Sequence, residues 1–358
     1  GITGLEIGKS TNTSGITISS TQNINGPITI YGGDISVNAS LSSTSTSGTG
    51  ISLNGQNIAQ AVGVSVSTNG AAIEYLVTNS PWTSGNDIGI ELAGASGNKA
   101  GINAQGGNIT INSSFANSGT NNSSSSNHDL AIRLTEADIR TQGTGSITIE
   151  GDVYNNASST GDYIWGADLR AGTVIRTDSG AISITGKGGK TLTNSRGIVS
   201  NNTNLQVLSN SGTITFTDVF PTGNAGYTGM YFRPSSANAI KFGADGNLVS
   251  SSSSEINFLG DEITFELGNS QVSTTGKVTI ASVGASFGEA FSTGSLNLAS
   301  SVSELVVGKS TNTSNITIGS TTTTSGPITV YGGDISVNED LNTTSGSTIG
   351  DILLKASG

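Results

Sequence analysis

A five-residue unit, Gly-x-Ile-Thr/Ser-Ile, recurs along this chain and constrains its fold more than any other feature. It stands at Gly107-Asn-Ile109-Thr-Ile111, Gly145-Ser-Ile147-Thr-Ile149 and Gly180-Ala-Ile182-Ser-Ile184. It continues at Gly212-Thr-Ile214-Thr-Phe216, Gly276-Lys-Val278-Thr-Ile280 and Gly294-Ser-Leu296-Asn-Leu298. Each unit alternates large apolar side chains with small polar ones, the period-2 signature of a strand with one buried face, entered through a glycine turn. A second strand precedes each unit. Its markers Ile102, Ile139, Ile175, Val207, Ile240 and Val272 follow one another at spacings of 37, 36, 32, 33 and 32. A third strand precedes those, at residues 130–134, 166–169 and 230–232. Fixed strands with corners that absorb insertions predict an all-β parallel β-solenoid, its coils roughly thirty-odd residues long and its corner loops variable.

Composition fits a thin stack of coils better than a set of globules. Glycine makes up 51 of the 358 residues and charged residues only 11%, against roughly a quarter charged in ordinary domains. Inward Ile and Val stack from coil to coil, while outward Thr and Ser keep the faces soluble and favour extended backbone. Helix signals are scarce; only residues 71–78 and 130–137 also fit one or two helical turns. Residues 113–127 and 250–254 are polar tracts expected as loops. The strands of residues 42–100 have no assigned register.

A longer period lies over the short one. Residues 5–38 return as residues 305–338 at an offset of 300, with 25 of 34 positions identical. Both copies carry Gly-Lys-Ser-Thr-Asn-Thr-Ser, at Gly8–Ser14 and Gly308–Ser314, and both carry Tyr-Gly-Gly-Asp-Ile-Ser-Val-Asn, at 31–38 and 331–338. The expected division is one module over 1–300, with 301–358 forming the opening coils of the next copy. About nine coils per module, at ~4.8 Å each, give roughly 45 Å of rise. An open stack exposes unpaired strand edges, which a following copy covers by continuing the ladder.

At residues 26–38 and in the run Gly180-Ala-Ile-Ser-Ile-Thr-Gly186, the chain resembles the filamentous-haemagglutinin-like repeat proteins, large bacterial surface adhesins built as right-handed parallel β-helices. The resemblance is one of repeat style over most of the chain. It implies an exported, rod-like extracellular protein on a bacterial surface. Its partners would be further copies end to end, neighbouring rods in a fibre or sheath, and host or matrix glycans. No functional residue carries over, because the matching motif is structural.

The net charge of −11 disfavours nucleic acid and anionic lipid as partners. No apolar run reaches membrane-spanning length. Cysteine is absent, and a repeat stack does not need disulfides because each coil is held by its neighbours. Gly8-Lys9-Ser10 lacks the upstream glycine of a phosphate loop, since Thr3 stands there. Gly32-Gly33-Asp34 lacks the rest of a calcium-binding nonapeptide. No cofactor is implied, and calcium is the one ion that the dispersed Asp and Asn oxygens leave open.

Asn12-Thr13-Ser14 and Asn312-Thr313-Ser314 fit the glycosylation acceptor pattern. The one histidine, His128, falls in a Ser/Asn-rich loop. No catalytic residue is assigned. The alternative to a structural or adhesive fibre is a polysaccharide-binding or depolymerising β-helix, for which Asp138, Asp168 and Asp178 in neighbouring coils are the carboxylates. Arg140 and Arg176, ladder-equivalent beside Ile139 and Ile175, would form ordinary surface pairs with such carboxylates. The candidate surface-contact residues are Tyr227, Tyr231, Phe232 and Arg233, an aromatic patch able to stack on sugar rings or a neighbouring fibre.

Overall fold

The computed structural model describes residues 2–80, 87–115, 129–153, 164–188, 195–219, 229–266, 270–343 and 350–357. Among the described residues there is no helix, and the strands pair in parallel throughout. Successive strands belong in turn to three sheets, so each strand pairs with those three places before and after it. This is a parallel β-solenoid. The first sheet has thirteen strands, the second nine and the third ten, with further sheets of three and two strands near the C-terminal end. Residues 71–78 fall in the strand Ala72–Ser80, and residues 130–137 in Asp129–Thr135 and Ala137–Arg140. Packing between coils therefore overrides the local helical option.

Two rows of inward side chains run the length of the first sheet. One is Leu5, Ile28, Ile51, Ile73, Ile109, Ile147, Ile182, Ile214, Ile256, Val278, Leu305, Ile328 and Ile352. Leu5 and Leu305 thus occupy the same position ten rungs apart, about 48 Å at ~4.8 Å per rung. Every row member between Ile28 and Ile328 is 1% exposed or less, which stabilises the fold by roughly 1.5–3 kcal/mol for each large aliphatic side chain buried. Coil length varies more than the sequence suggests. Ile51 to Ile73 is 22 residues and Ile214 to Ile256 is 42; the thirty-odd coils lie in the middle, from Ile73 to Ile214.

Two register expectations need correction. In the third sheet Val207 pairs with Phe242, and Phe242 with Val272, so Ile240 is not the rung. Ile240 is buried too and shares the parity of Phe242, so alternation alone cannot separate them. Leu296 and Leu298 lie in the third sheet against Ser270 and Val272, not in the first sheet with the other glycine units. The first sheet instead has a rung at Ile256–Leu259, where Ser254 takes the place of the leading glycine. Residues 42–100 also gain a register: Ile51 pairs with Ile28, Ile58 with Ile35, and Val66 with Leu41.

The leading glycines have a steric cause. A Cβ on Gly180 would overlap the carbonyl oxygen of Gly145, and one on Gly212 would overlap that of Gly180. Each coil turns its corner directly over the one before, so these glycine rungs leave no room for a side chain, whereas the Ser254 rung accommodates one. Buried hydroxyls pin the same corner. Ser43, Thr141, Thr177 and Thr324 each donate to the carbonyl of a column glycine, Gly26, Gly107, Gly180 and Gly326 respectively, all at 2.7 Å. These bonds satisfy carbonyls that the sheet ladders leave unpaired.

The aliphatic core gives way to aromatics at one level. Phe216 stacks on Phe258 with ring centroids 5.3 Å apart, and Phe232 on Phe265 at 5.5 Å. Phe242 meets Phe216, Phe232 and Phe258 edge-on. Each of the three sheets contributes to this cluster.

Candidate functional site

The recurring coil folds the same way twice. Gly8 and Gly308 turn with φ of 77° and 75°, a backbone that glycine adopts without strain. Asn12 Nδ2 donates to Tyr31 O at 2.9 Å, and Asn312 Nδ2 to Tyr331 O at 2.8 Å. Gly33 N donates to Ser14 O at 2.9 Å, and Gly333 N to Ser314 O at 2.8 Å. Gly8-Lys9-Ser10 is therefore a turn between sheets. Each acceptor-pattern asparagine is a structural clamp on the coil after it. Asp34 opens the strand Asp34–Val37 and accepts from Asn57 Nδ2 at 2.8 Å. Among the described residues no group of three or more His, Cys, Asp and Glu is placed to hold a metal.

What differs between the copies is the seat. The second copy rests on the coil before it, where the second sheet is interrupted between Ile263–Phe265 and Phe291–Ser292. Phe287 and Phe291 stack at 5.4 Å, and Phe291 pairs with Ile316. Ser286 Oγ donates to Asn312 Oδ1 at 2.7 Å, as does Phe287 N at 3.1 Å. Thr311 Oγ1 donates to Ala285 O and Ser314 Oγ to Phe287 O, both at 2.5 Å. Asn312 is 1% exposed, whereas Asn12 is half-buried. The first sheet crosses this level unbroken, Val278 pairing with Leu305. Beneath the seat a hollow of about 50 Å³ is lined by Asp261, Glu262, Glu289, Phe287 and Phe291. Burial, then Glu289 and Asp261, push the Glu262 carboxyl up to about 7.

The aromatic patch divides. Phe232 is fully buried in the phenylalanine cluster and so is not a surface residue; its alternation partner in the strand had no signal to show which face was inward. Tyr231 packs with Leu130, Trp165 and Val199, and the Arg196 guanidinium lies 3.7 Å from its ring centroid. Arg233 is exposed and faces Glu266 at 3.5 Å. Tyr227 and His128 lie outside the described residues.

The three carboxylates do not converge. Asp168 is on the second sheet, 2% exposed, held by Arg170 Nε at 2.6 Å and Arg133 Nε at 3.4 Å. Burial, together with Arg170, lowers the Arg133 pKa, and Asp168 and Glu91 oppose that shift. Asp138 is on the third sheet, 3.8 Å from Arg140 and 3.9 Å from Arg176. Asp178 sits past that sheet's edge and accepts from Gly143 N at 2.9 Å. No two of them flank a common cleft as a hydrolytic pair requires.

Arg140 and Arg176 do pair on the third sheet, as their ladder positions predict. With Asp178, Asn210, Gln142 and Leu248 they line a concavity of about 130 Å³. No protein-family model, curated protein or solved structure matches this chain.

Proposed function

We propose that this chain is a rod-forming segment of a tandem array, working as a structural or adhesive fibre exposed outside a bacterial cell. One observation carries the reading. Leu5 and Leu305, the same residue of the same recurring coil, stand ten rungs apart in a single unbroken sheet. A 300-residue repeat that keeps register with the coil lets copies follow one another without a hinge. Stiffness then comes from continuous parallel ladders and inward Ile/Val rows, and display comes from the corners. The repeat style shared with filamentous surface adhesins supports an extracellular setting, as does an exterior of Ser, Thr and Asn.

Electron microscopy of the native assembly tests this. Rods with an axial repeat of about 48 Å, ten rungs of ~4.8 Å, are expected. Compact particles with no axial repeat would overturn the reading.

A further inference from the structure

The concavity over Arg140 and Arg176 is made by a chain excursion that no other coil shares among the described residues. Elsewhere the third sheet leads quickly into the first, as from Thr177 to Ile182 and from Ser209 to Ile214. After Lys241–Gly243 the chain takes until Ile256. The excursion folds back over the outer face of the third sheet. Val249 and Ala244 bury Leu208, which points outward from that sheet, in a small apolar cluster separate from the main core. Asp245 accepts from Val249 N at 2.9 Å and Asn247 N at 3.1 Å, closing the turn, and Ser253 N donates to Asn210 O at 2.7 Å. The lip is thus tied at both ends, and it holds Leu248 out at 44% exposure beside the two arginines.

The arginines stand on adjacent rungs, about 4.8 Å apart. Among the described residues their one ion-pair partner is Asp138, at 3.8 and 3.9 Å, beyond hydrogen-bond reach. Arg176 Nε is buried and has no hydrogen-bond acceptor. That nitrogen is itself out of a ligand's reach, but the Arg140 and Arg176 side chains are 43% and 27% exposed and keep part of each guanidinium open to the concavity. Around the pair lie acceptors and two-way groups, Asp178, Asn210 and Gln142, and on one side the apolar Leu248. A ligand matching this set offers one carboxylate to the guanidinium forks, hydroxyls to Asp178 and Asn210, and a C–H face to Leu248. We propose that the concavity binds a uronic-acid residue of an acidic glycan. The chain's overall negative charge does not forbid this, because exposed charges beyond about 8 Å are largely screened at physiological salt.

Calorimetric titration of the full chain with oligogalacturonate, at physiological salt, tests the site. Binding is expected, with none for the fully methyl-esterified oligomer, which keeps the ring and loses the charge. Arg176→Gln and Arg140→Gln, confirmed folded by circular dichroism, should each weaken binding by about tenfold or more. Arg233→Gln, on another sheet, should leave it unchanged. Absence of binding would overturn the proposal, as would equal loss in Arg233→Gln. Equal affinity for acetate would show a carboxylate site with no sugar recognition, and equal affinity for dextran sulfate a general polyanion surface; either result also overturns it.

Discussion

Tyr75 donates its phenolic proton to Gln60 Oε1 across 2.7 Å, inside a core where neither residue reaches water. Gln60 Nε2 in turn donates to Val64 O at 2.7 Å and Gly101 O at 3.0 Å, tying a corner to two coils. Burial pushes the Tyr75 phenol well above its usual range, so it stays a donor at every accessible pH. Tyr75→Phe strands a buried acceptor, and a loss of ~1–3 kcal/mol is expected. Urea melts of Tyr75→Phe and of Tyr75→Phe with Gln60→Leu check it. The double variant also takes the Gln60 donor from the Val64 and Gly101 carbonyls and should be less stable than Tyr75→Phe alone, and an unchanged Tyr75→Phe would contradict the account.

The glycine column makes a second prediction. Gly180→Ala places a Cβ against the Gly145 carbonyl, a backbone atom that cannot step aside. Relieving that overlap means separating two coils, at a cost of ~1–3 kcal/mol typical of overpacking. Gly101→Ala is the control: its nearest neighbour would be Ser65 Oγ at 3.7 Å, an ordinary contact. Its melting midpoint should stay close to that of the parent, within ~0.5 kcal/mol. Matching shifts in the two variants would remove the steric explanation of the motif.

Much of this was legible in the residues. The Ile109, Ile147, Ile182 and Ile214 rungs follow from alternation and spacing, and the Arg140–Arg176 pairing follows from the rung markers beside them. Alternation fails where two residues of equal parity are both apolar, as with Ile240 and Phe242. It also cannot say which sheet a strand joins, and so Gly294-Ser-Leu296 looked like its five relatives. The Ser254 rung lacked its glycine and passed unmarked. The lip over Arg140 and Arg176 was not visible because it depends on Val249 reaching back to Leu208, a contact between residues of no shared pattern. Asp138, Asp168 and Asp178 were near in coil number, but coil number does not fix the sheet.

The two copies of the recurring coil provide an internal comparison. Asn312 sits on its seat with Oδ1 filled by Ser286 Oγ and Phe287 N, while Asn12 Oδ1 accepts from Ser14 N at 3.1 Å. Asn312→Ala leaves the Phe287 N–H and the Tyr331 carbonyl unsatisfied in the interior, at ~1–3 kcal/mol. At the half-buried Asn12 water replaces the lost partners, and under ~1 kcal/mol is expected from Asn12→Ala. Hydrogen exchange at Phe287, read in both variants, should quicken only in Asn312→Ala. Equal effects would mean that the seat contributes nothing beyond the coil itself.

The acidic hollow under that seat makes stability depend on pH. Glu262 has a folded pKa of about 7 against an ordinary 4.5, because burial disfavours its charge and Glu289 and Asp261 add repulsion. Between those two values the folded chain keeps a proton that the unfolded chain has released, so stability falls as pH rises through that window and levels off above it. Glu262 is partly exposed, and solvent screening reduces the effect to about 1 kcal/mol. The difference between parent and Glu262→Gln isolates the contribution of this one group. Glu262→Gln carries no charge at any pH and should match the parent near pH 4.5. By pH 8 it should be the more stable of the two, by about 1 kcal/mol in denaturant melts. A constant difference across that range would mean that Glu262 ionises in the folded chain as freely as in the unfolded one.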